Sequence, residues 1–596
     1  MFTSHAPSAK ESADEPSAVT RHLCSGAYVD ERFRDLVIDE VCTAPYRRVA
    51  PSYGFDIVPV MRHAWRAAAL TALMRGTVAS AVGVPILVGA LPAALMVSCG
   101  LAVLCLIPLT VELWKLDQEP ELGRIRWSGR RGRNGRKGQK SKRQGLGPVP
   151  GARALLKWLF PRRYSESAHA LRRAGWAVLF LMLAGLTIAL THPRQATTAL
   201  HISAGITFVC LGVGAVRQLI LHRILRAPTL RPRRLSRRER AADTEQDHPC
   251  AVYRRARHSE DDDEDDFAVF TLFGDESPFI GAGELIYQWN PPMSIQLLRP
   301  CDDDEAPLHE REHPVPPFQA HELVDYLREA VQLLDTDSQD VRLPARVTDR
   351  VYVAETDVAV DRSLLTREFD AARLRKIINT PGSKEYHFLE VTTPAEGAEF
   401  VATVLLHTSI QGRTLSISTA ACVLAHTPRS FQRTAEFGHH GVLAVAWAAL
   451  RELVTLPSEI RNSWRLVRYL YSLGKAAILP RDLTSTPIRN VLIGSRVSIR
   501  EKSAQEWSKI QLEKTDILGR MKTIERRLLR ATGDFLTTHD VDASEFNDRA
   551  TKIINSGIFN FGDNNNFSNN AVGDAAQVGA SAHESAGPNP NGGGNT

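Results

Sequence analysis

Apolar positions in this chain form two long uncharged stretches and, further on, a series of short runs, and the two patterns predict different structures. Between Arg75 and Glu112 no charged residue occurs for 36 positions. A membrane-crossing helix needs about 20 apolar residues, so this run predicts two helices, near 66–91 and 93–114, turning at Gly89-Ala90-Leu91-Pro92. Arg75 would reach towards the headgroups, and Trp114 is an interfacial aromatic. Ala174–Thr191 and Ala199–Val216 are also uncharged, and His192-Pro193-Arg194-Gln195 between them holds a helix-stopping proline. They predict a second hairpin, near 174–192 and 199–221. Two buried hairpins of a water-soluble fold are the competing reading, which runs of this length disfavour.

After residue 266 the pattern shortens. Phe267–Phe273, Leu285–Trp289, Ser294–Leu298, Arg350–Val353, Tyr386–Val391, Glu399–His407 and Thr414–Val423 are rich in β-branched and aromatic residues and predict strands. Ser409-Ile410-Gln411-Gly412-Arg413 predicts a hairpin loop. Ala320–Leu334 carries a helical stripe of Leu323, Tyr326, Leu327, Ala330, Leu333 and Leu334. Strands with few helices between them predict an α+β domain. From Gly441 the pattern turns helical. Gly441–Leu456 reads as a core helix or a membrane-surface helix. Thr515–Leu536 spaces Ile517, Met521, Ile524, Leu528 and Phe535 on one stripe, for packing on its own domain or for self-association.

The predicted fold class is therefore a membrane α-helical region of two transmembrane hairpins (four helices), a cytoplasmic α+β domain with a helical extension, and a disordered N-terminus, linker and C-terminal tail. The expected boundaries are a cytoplasmic N-terminal region at 1–64, a transmembrane region at 65–221 containing a basic loop at 115–173, and a charged linker at 222–266. The α+β domain follows at 267–435, a helical region at 436–545 and an Asn/Gly-rich tail at 546–596.

Charge orients these elements. The net charge of +6 conceals segregation, since Lys115–Arg173 holds 17 Lys/Arg against four acids and His222–Arg240 adds eight arginines. The hairpin tips carry only Arg194. The positive-inside rule then places both termini in the cytoplasm of a multi-pass cell-membrane protein. The Gly-rich basic loop suits anionic lipid. No groove-reading motif accompanies it, so no specific nucleic acid is expected. Arg231–Arg257 runs into the acidic Glu260–Asp266, which reads as solvated charge. Eight scattered cysteines without a C-x-x-C pair fit reduced thiols. The polar Met1–Thr20 lacks the apolar core of a cleavable signal.

Candidate chemistry is sparse. His309-Glu310-Arg311-Glu312-His313 matches the H-E-x-x-H of zinc peptidases, in which both histidines bind one metal from a single helix face. Pro307, Pro314, Pro316 and Pro317 break that helix, so a chance match is expected. Gly281-Ala282-Gly283 lacks the third glycine of a dinucleotide fingerprint, and His439-His440 has no companion ligands. Phosphate-loop and nucleophile-elbow patterns are missing from the sequence. No catalytic, cofactor or metal residues are predicted.

The tail is the most distinctive segment. Asparagine fills seven of sixteen positions from Asn555 to Asn570, and Phe561-Gly562-Asp563 recurs as Val572-Gly573-Asp574 eleven residues on. Amide ladders between stacked copies need this low charge and this asparagine content. The expected self-assembly residues are Ile558, Phe559, Phe561, Gly562, Asn564, Asn565, Asn566, Phe567, Val572, Gly573, Gln577, Val578 and Gly579. A flexible low-complexity tail is the plainer alternative.

This tail resembles the Asn/Gly-rich, amyloid-like signalling motifs that end actinobacterial conflict-system proteins. Gln577-Val578-Gly579 is similar to the core of RHIM-type sequences, though Ala576 replaces the β-branched residue preferred there. More widely, "FRDLVIDE", "RRVAPSYGFDIVPVMRHAWRA", "FIGAGELIYQW", "IQGRTLSIS" and "IERRLLRATGDFLTTHDVDASEF" resemble an uncharacterised family of actinobacterial multi-pass membrane proteins. The resemblance implies four helices, a cytoplasmic α+β region and the tail, and no catalytic residues. The expected function is a membrane-anchored interaction or signalling protein, in a conflict or defence setting, with the bilayer, anionic lipid and a protein partner or its own tail as partners. A channel or transporter subunit and a membrane enzyme are the alternatives.

Overall fold

Where the sequence has its uncharged runs, the computed structural model has the helices Ile57–Leu87, Leu91–Gln118, Ser167–Thr191 and Pro193–Arg226. The structure describes residues 16–44, 47–118, 167–254, 278–289, 291–300, 307–335, 343–365, 369–395, 399–436, 441–478, 493–507, 510 and 513–555. The chain divides into two units, one of residues 1–64, 226–435 and 478–596, the other of residues 65–225 and 436–477.

In the helical unit, the turns fall at the predicted punctuation. One helix stops at Leu87, before Gly89, and another ends at Thr191 with Pro193 opening its successor. Proline suits that first position because its missing N–H would be unpaired there anyway. Met74, Val78, Val97, Ile206, Cys210 and Leu456 form the buried centre. Hydroxyls turn back onto their own helices: Ser98 donates to the Ala94 carbonyl at 2.7 Å, and Ser203 to Ala199 at 2.9 Å. Polar groups closed within a helix suit an apolar solvent. The outward positions are apolar too, with Phe208 77% and Phe180 72% exposed.

Gly441–Arg461 belongs to this unit, together with Leu466–Ile478. Among the described residues, Ile57–Leu87, Pro193–Arg226 and Gly441–Arg461 are long and apolar enough to cross a membrane, and Leu91–Leu106 and Gly175–Thr191 are shorter apolar stretches. The helical region read over 436–545 is thus divided. Its first part belongs to the helical unit, whereas Glu513–Thr538 and Ser544–Asn555 belong to the other.

That other unit is α+β. Its described strands are β1 (Cys250–Tyr253), β2 (Glu284–Gln288), β3 (Met293–Gln296), β4 (Arg346–Ala354), β5 (Glu385–Ala395), β6 (Phe400–Gln411) and β7 (Thr414–Leu424). They form one sheet in the order β1-β4-β5-β6-β7-β2, with β3 also on β7. β1 is parallel to β4 and the other pairings are antiparallel. β2 and β3 share one edge of β7, Gln288 facing Ala420 and Met293 facing Ile417. Pro291 and Pro292 break this edge because they lack the N–H a ladder needs. The long β6–β7 hairpin turns at Gly412, whose φ of 61° is left-handed backbone that glycine adopts freely.

β6 reads FVATVLL at its start and is buried on both sides. Phe400, Ala402, Val404 and Leu406 face one core with Leu327, Ile517, Met521, Ile524 and Phe535 from the helices Ala320–Gln332 and Glu513–Thr538. The amphipathic stripe of the second helix therefore packs on its own domain. Val401 and Leu405 face a second core with Tyr53, Phe279, Tyr352 and Phe388.

Two segments expected to lack structure are ordered where described. Residues 16–44 form the helices Ala18–Val29 and Glu31–Leu36 and a π-helical turn, because Val19, Leu23, Phe33 and Val37 bury an apolar side. Within the expected linker, Arg237–Gln246 is a helix whose Ser236 and Glu239 cap it reciprocally, and β1 follows. Charge density hid a Ser-x-x-Glu start signal there. The predicted strand Phe267–Phe273 lies outside the described residues.

Candidate functional site

Strands β4 and β5 place polar side chains diagonally across the ladder, with Val351 facing His387 and Asp349 facing Leu389. Because side chains alternate along a strand, Asp349 and His387 share one face while Arg350 and Glu390 share the other. On the first face His387 Nε2 lies 2.9 Å from Asp349 Oδ1, and Arg328, from the helix Ala320–Gln332, donates to both Asp349 oxygens at 2.8 and 3.0 Å. Burial works to raise the Asp349 carboxyl, but the His387 hydrogen bond and the Arg328 charge override it and hold the group below its usual range. His407 Nδ1 donates to the His387 carbonyl at 2.7 Å. Burial lowers the His407 pKa despite that bond.

His387 is 3% exposed, and its Nδ1 has no hydrogen-bond partner. With Nε2 protonated towards Asp349, Nδ1 is an acceptor. His387 and His407 line a cleft of mixed polarity with Ile377, Thr380, Ser383 and Gln411. Among the described residues no hydroxyl or thiol pairs with this histidine, so the cleft lacks the nucleophile–base contact of covalent catalysis.

On the second face Arg350 Nε donates to Glu390 Oε2 at 3.0 Å, and Tyr53 Oη donates to the same oxygen at 3.0 Å. Arg350 also donates to the His248 carbonyl at 2.7 Å. Burial and then the Glu390 charge push the Tyr53 phenol well up. These groups satisfy one another and tie residues 47–56 to the sheet.

The H-E-x-x-H segment is taken up by packing. Its helix is the single turn Leu308–Arg311, so the two histidines do not share a helix face. His309 is exposed, and His313 Nε2 meets the Asp540 carbonyl at 3.1 Å. Arg311 and Glu312 pair with Asp542 and Arg413. Among the described residues, no group of three or more His, Cys, Asp or Glu is placed to hold a metal ion. Gly281-Ala282-Gly283 leads into β2, and a Cβ at Gly283 would lie 2.0 Å from the Val423 carbonyl oxygen. Close backbone packing accounts for that glycine.

The helical unit holds the second constellation. Arg75 Nε donates to Glu459 Oε2 at 2.8 Å. Arg217 Nη1 donates to both oxygens of Glu452, at 3.0 and 3.1 Å. Both carboxylates come from Gly441–Arg461, and they are seven residues apart on one helix face. Ionisable groups inside an apolar bundle are rare and mark function or assembly. The sequence marks Arg75 as a residue near a helix end but not its partner, although Glu452 and Glu459, seven residues apart on a largely apolar helix, were a legible signal.

The predicted self-assembly residues from Ile558 to Gly579 lie outside the described residues, as do His439-His440 and most of the basic loop.

Fold and sites define a chain of two parts: apolar helices compatible with a membrane location, and an α+β domain. An AbeC-like domain is found at residues 288–568. The match begins at the end of β2 and takes in the rest of the sheet except β1, the helices Gly441–Arg461 and Leu466–Ile478, and the helices that follow them. No significant match is found among curated proteins or solved structures.

Proposed function

We propose that the chain is a multi-pass membrane protein holding its α+β domain at the cytoplasmic surface, and that it acts as an interaction or signalling protein whose tail self-assembles. One observation carries the membrane part. Phe180, Leu190, Leu200, Phe208 and Trp447 are large apolar side chains on the outside of the helical unit, each at least 70% exposed. Exposed apolar surface on that scale is unfavourable in water and needs a partner. Helices of this length make lipid the natural one. The basic segments Lys115–Arg173 and His222–Arg240 support a cytoplasmic location for both termini, with anionic lipid beneath the loop.

The interaction reading draws on the tail's composition. Full-length protein in lipid nanodiscs or detergent should form thioflavin-positive, sedimenting assemblies, and a chain ending at Asn555 should stay dispersed. Equal behaviour of the two chains would refute self-assembly through the tail. A channel or transporter subunit is the second reading, favoured by the Arg75–Glu459 and Arg217–Glu452 pairs inside the bundle. Ion flux in liposomes, abolished by Glu459→Gln, would select it over the first.

A further inference from the structure

We infer that residues 441–478 form a re-entrant hairpin embedded in the leaflet nearest the α+β domain, with lipid acyl chains covering its outer face and no crossing to the far side. The inference rests on the membrane reading above.

Three independent observations lead there. The first is the distribution of side chains on Gly441–Arg461. Ala449, Glu452, Leu456 and Glu459 are spaced by three, four and three residues and therefore share one stripe. Glu452 and Leu456 on it are buried. Leu443, Trp447, Leu450 and Val454 make another stripe, and all four are exposed. A water-soluble amphipathic helix has the reverse arrangement, with charges outward. Here the acids turn inward to Arg217 and Arg75 while the large apolar groups turn out, and the exposed Arg451 and Arg461 carry long side chains that can reach the headgroups from a shallow helix. That inverted pattern suits a hydrocarbon solvent, in which charges pair within the protein. Leu466–Ile478 continues the apolar surface through Val467 and Leu470.

The second observation is chain connectivity. Residues up to Ala425 and residues from Ile510 onward lie in the same hydrophobic core of the α+β domain. The chain therefore leaves that domain after residue 435 and returns to it by residue 510. An excursion that leaves and rejoins one folded body on one side of a bilayer crosses an even number of times or not at all.

The third is length. Gly441–Arg461 has 21 residues and Leu466–Ile478 has 13. At 1.5 Å per residue the returning helix is about 20 Å long, short of the roughly 30 Å hydrocarbon core. Arg468 and Lys475 lie within that helix and Pro480, Arg481 and Asp482 follow it in the sequence, so an outward crossing would have no apolar run for its return, and the hairpin turns round inside the near leaflet.

The attachment points agree. Arg217 stands nine residues before the end of Pro193–Arg226, the end that continues into the α+β domain. A Cβ on Gly214 would lie 2.8 Å from Ala449 Cα and 2.9 Å from the Ala448 carbonyl oxygen, so the two backbones meet closely at this level. Small residues permit such approaches between membrane helices.

The test uses full-length protein in sealed membrane vesicles of both orientations and a membrane-impermeant maleimide, with the parent chain's own cysteines as the baseline. Val360→Cys, on the α+β domain, marks its side, and Phe208→Cys, on a bundle helix, reports lipid protection. Leu450→Cys and Leu470→Cys should resist labelling from both sides, and Ser463→Cys at the hairpin's turn should never label from the side opposite Val360→Cys. Labelling of Ser463→Cys from that opposite side would mean a spanning hairpin and overturn the inference. Labelling of Leu450→Cys or Leu470→Cys from the Val360→Cys side, with Phe208→Cys protected, would place the hairpin in water and also overturn it. Labelling of Phe208→Cys itself would instead refute the membrane reading on which the inference stands.

Discussion

Arg217 grips both carboxylate oxygens of Glu452, joining two apolar helices whose paired residues stand 235 positions apart in sequence. Removing one member strands the other charge among apolar side chains, which costs more than the pair itself contributes. Arg217 keeps 24% exposure, so Glu452→Ala should lose about 3 kcal/mol, the low end for a buried pair. Glu452→Arg should lose more, and adding Arg217→Glu should restore most of that loss. Thermal unfolding in detergent, followed across this double-mutant cycle, reads the coupling directly.

Gly214 marks the crossing of the same two helices. Gly214→Val should separate them and lower the melting temperature by several degrees, because Ala448 and Ala449 present backbone that cannot step aside. Gly212, where an added Cβ meets nothing within 4 Å, should tolerate alanine without a measurable shift. Comparing the two melts separates tight packing from mere helix propensity.

In the α+β domain, Glu390 is 2% exposed and accepts from both Arg350 and Tyr53. Glu390→Gln keeps an acceptor but leaves the Arg350 charge uncompensated, and should destabilise by about 3–5 kcal/mol. Replacing the set with Tyr53→Phe, Arg350→Met and Glu390→Leu should recover most of that loss, since apolar substitutes of similar volume avoid the desolvation cost. Denaturant titration of the parent, the Glu390→Gln variant and the triple variant checks the order.

The histidines predict the acid response. Burial lowers the pKa of His407, so the unfolded chain takes up protons more readily than the folded one. The stability this group contributes is complete above about pH 6.5, the unfolded value, and is lost as pH falls through the folded value. Asp349, also held down, adds a second loss below about pH 4. Protection of residues 385–411 against hydrogen exchange, corrected for intrinsic rates, should fall between pH 7.5 and 5.5. His407→Asn, which can keep the bond to the His387 carbonyl, should flatten that fall. An unchanged slope would locate the acid sensitivity elsewhere.

Local signals were legible and long-range ones were not. Pro193, Gly412 and the stripe from Ile517 to Phe535 each announced a turn or a helix because the signal lies within a few residues. Ser236-x-x-Glu239 was equally local, but the surrounding arginines dominated the reading. The partnership of Arg75 with Glu459, and of Asp349 with His387, depends on which helices and strands become neighbours, and no periodicity encodes that choice. Gly441–Leu456 stops in the sequence before Pro457, whereas the helix runs through that proline to Arg461. In the fold Glu452 pairs with Arg217, so the acid within the apolar run marks where the helix is attached.

Alkaline carbonate washing of membranes from cells expressing the full chain tests the central claim most directly. The protein should remain with the lipid pellet and enter solution only with detergent. Release into the aqueous supernatant would contradict a bilayer-embedded helical unit.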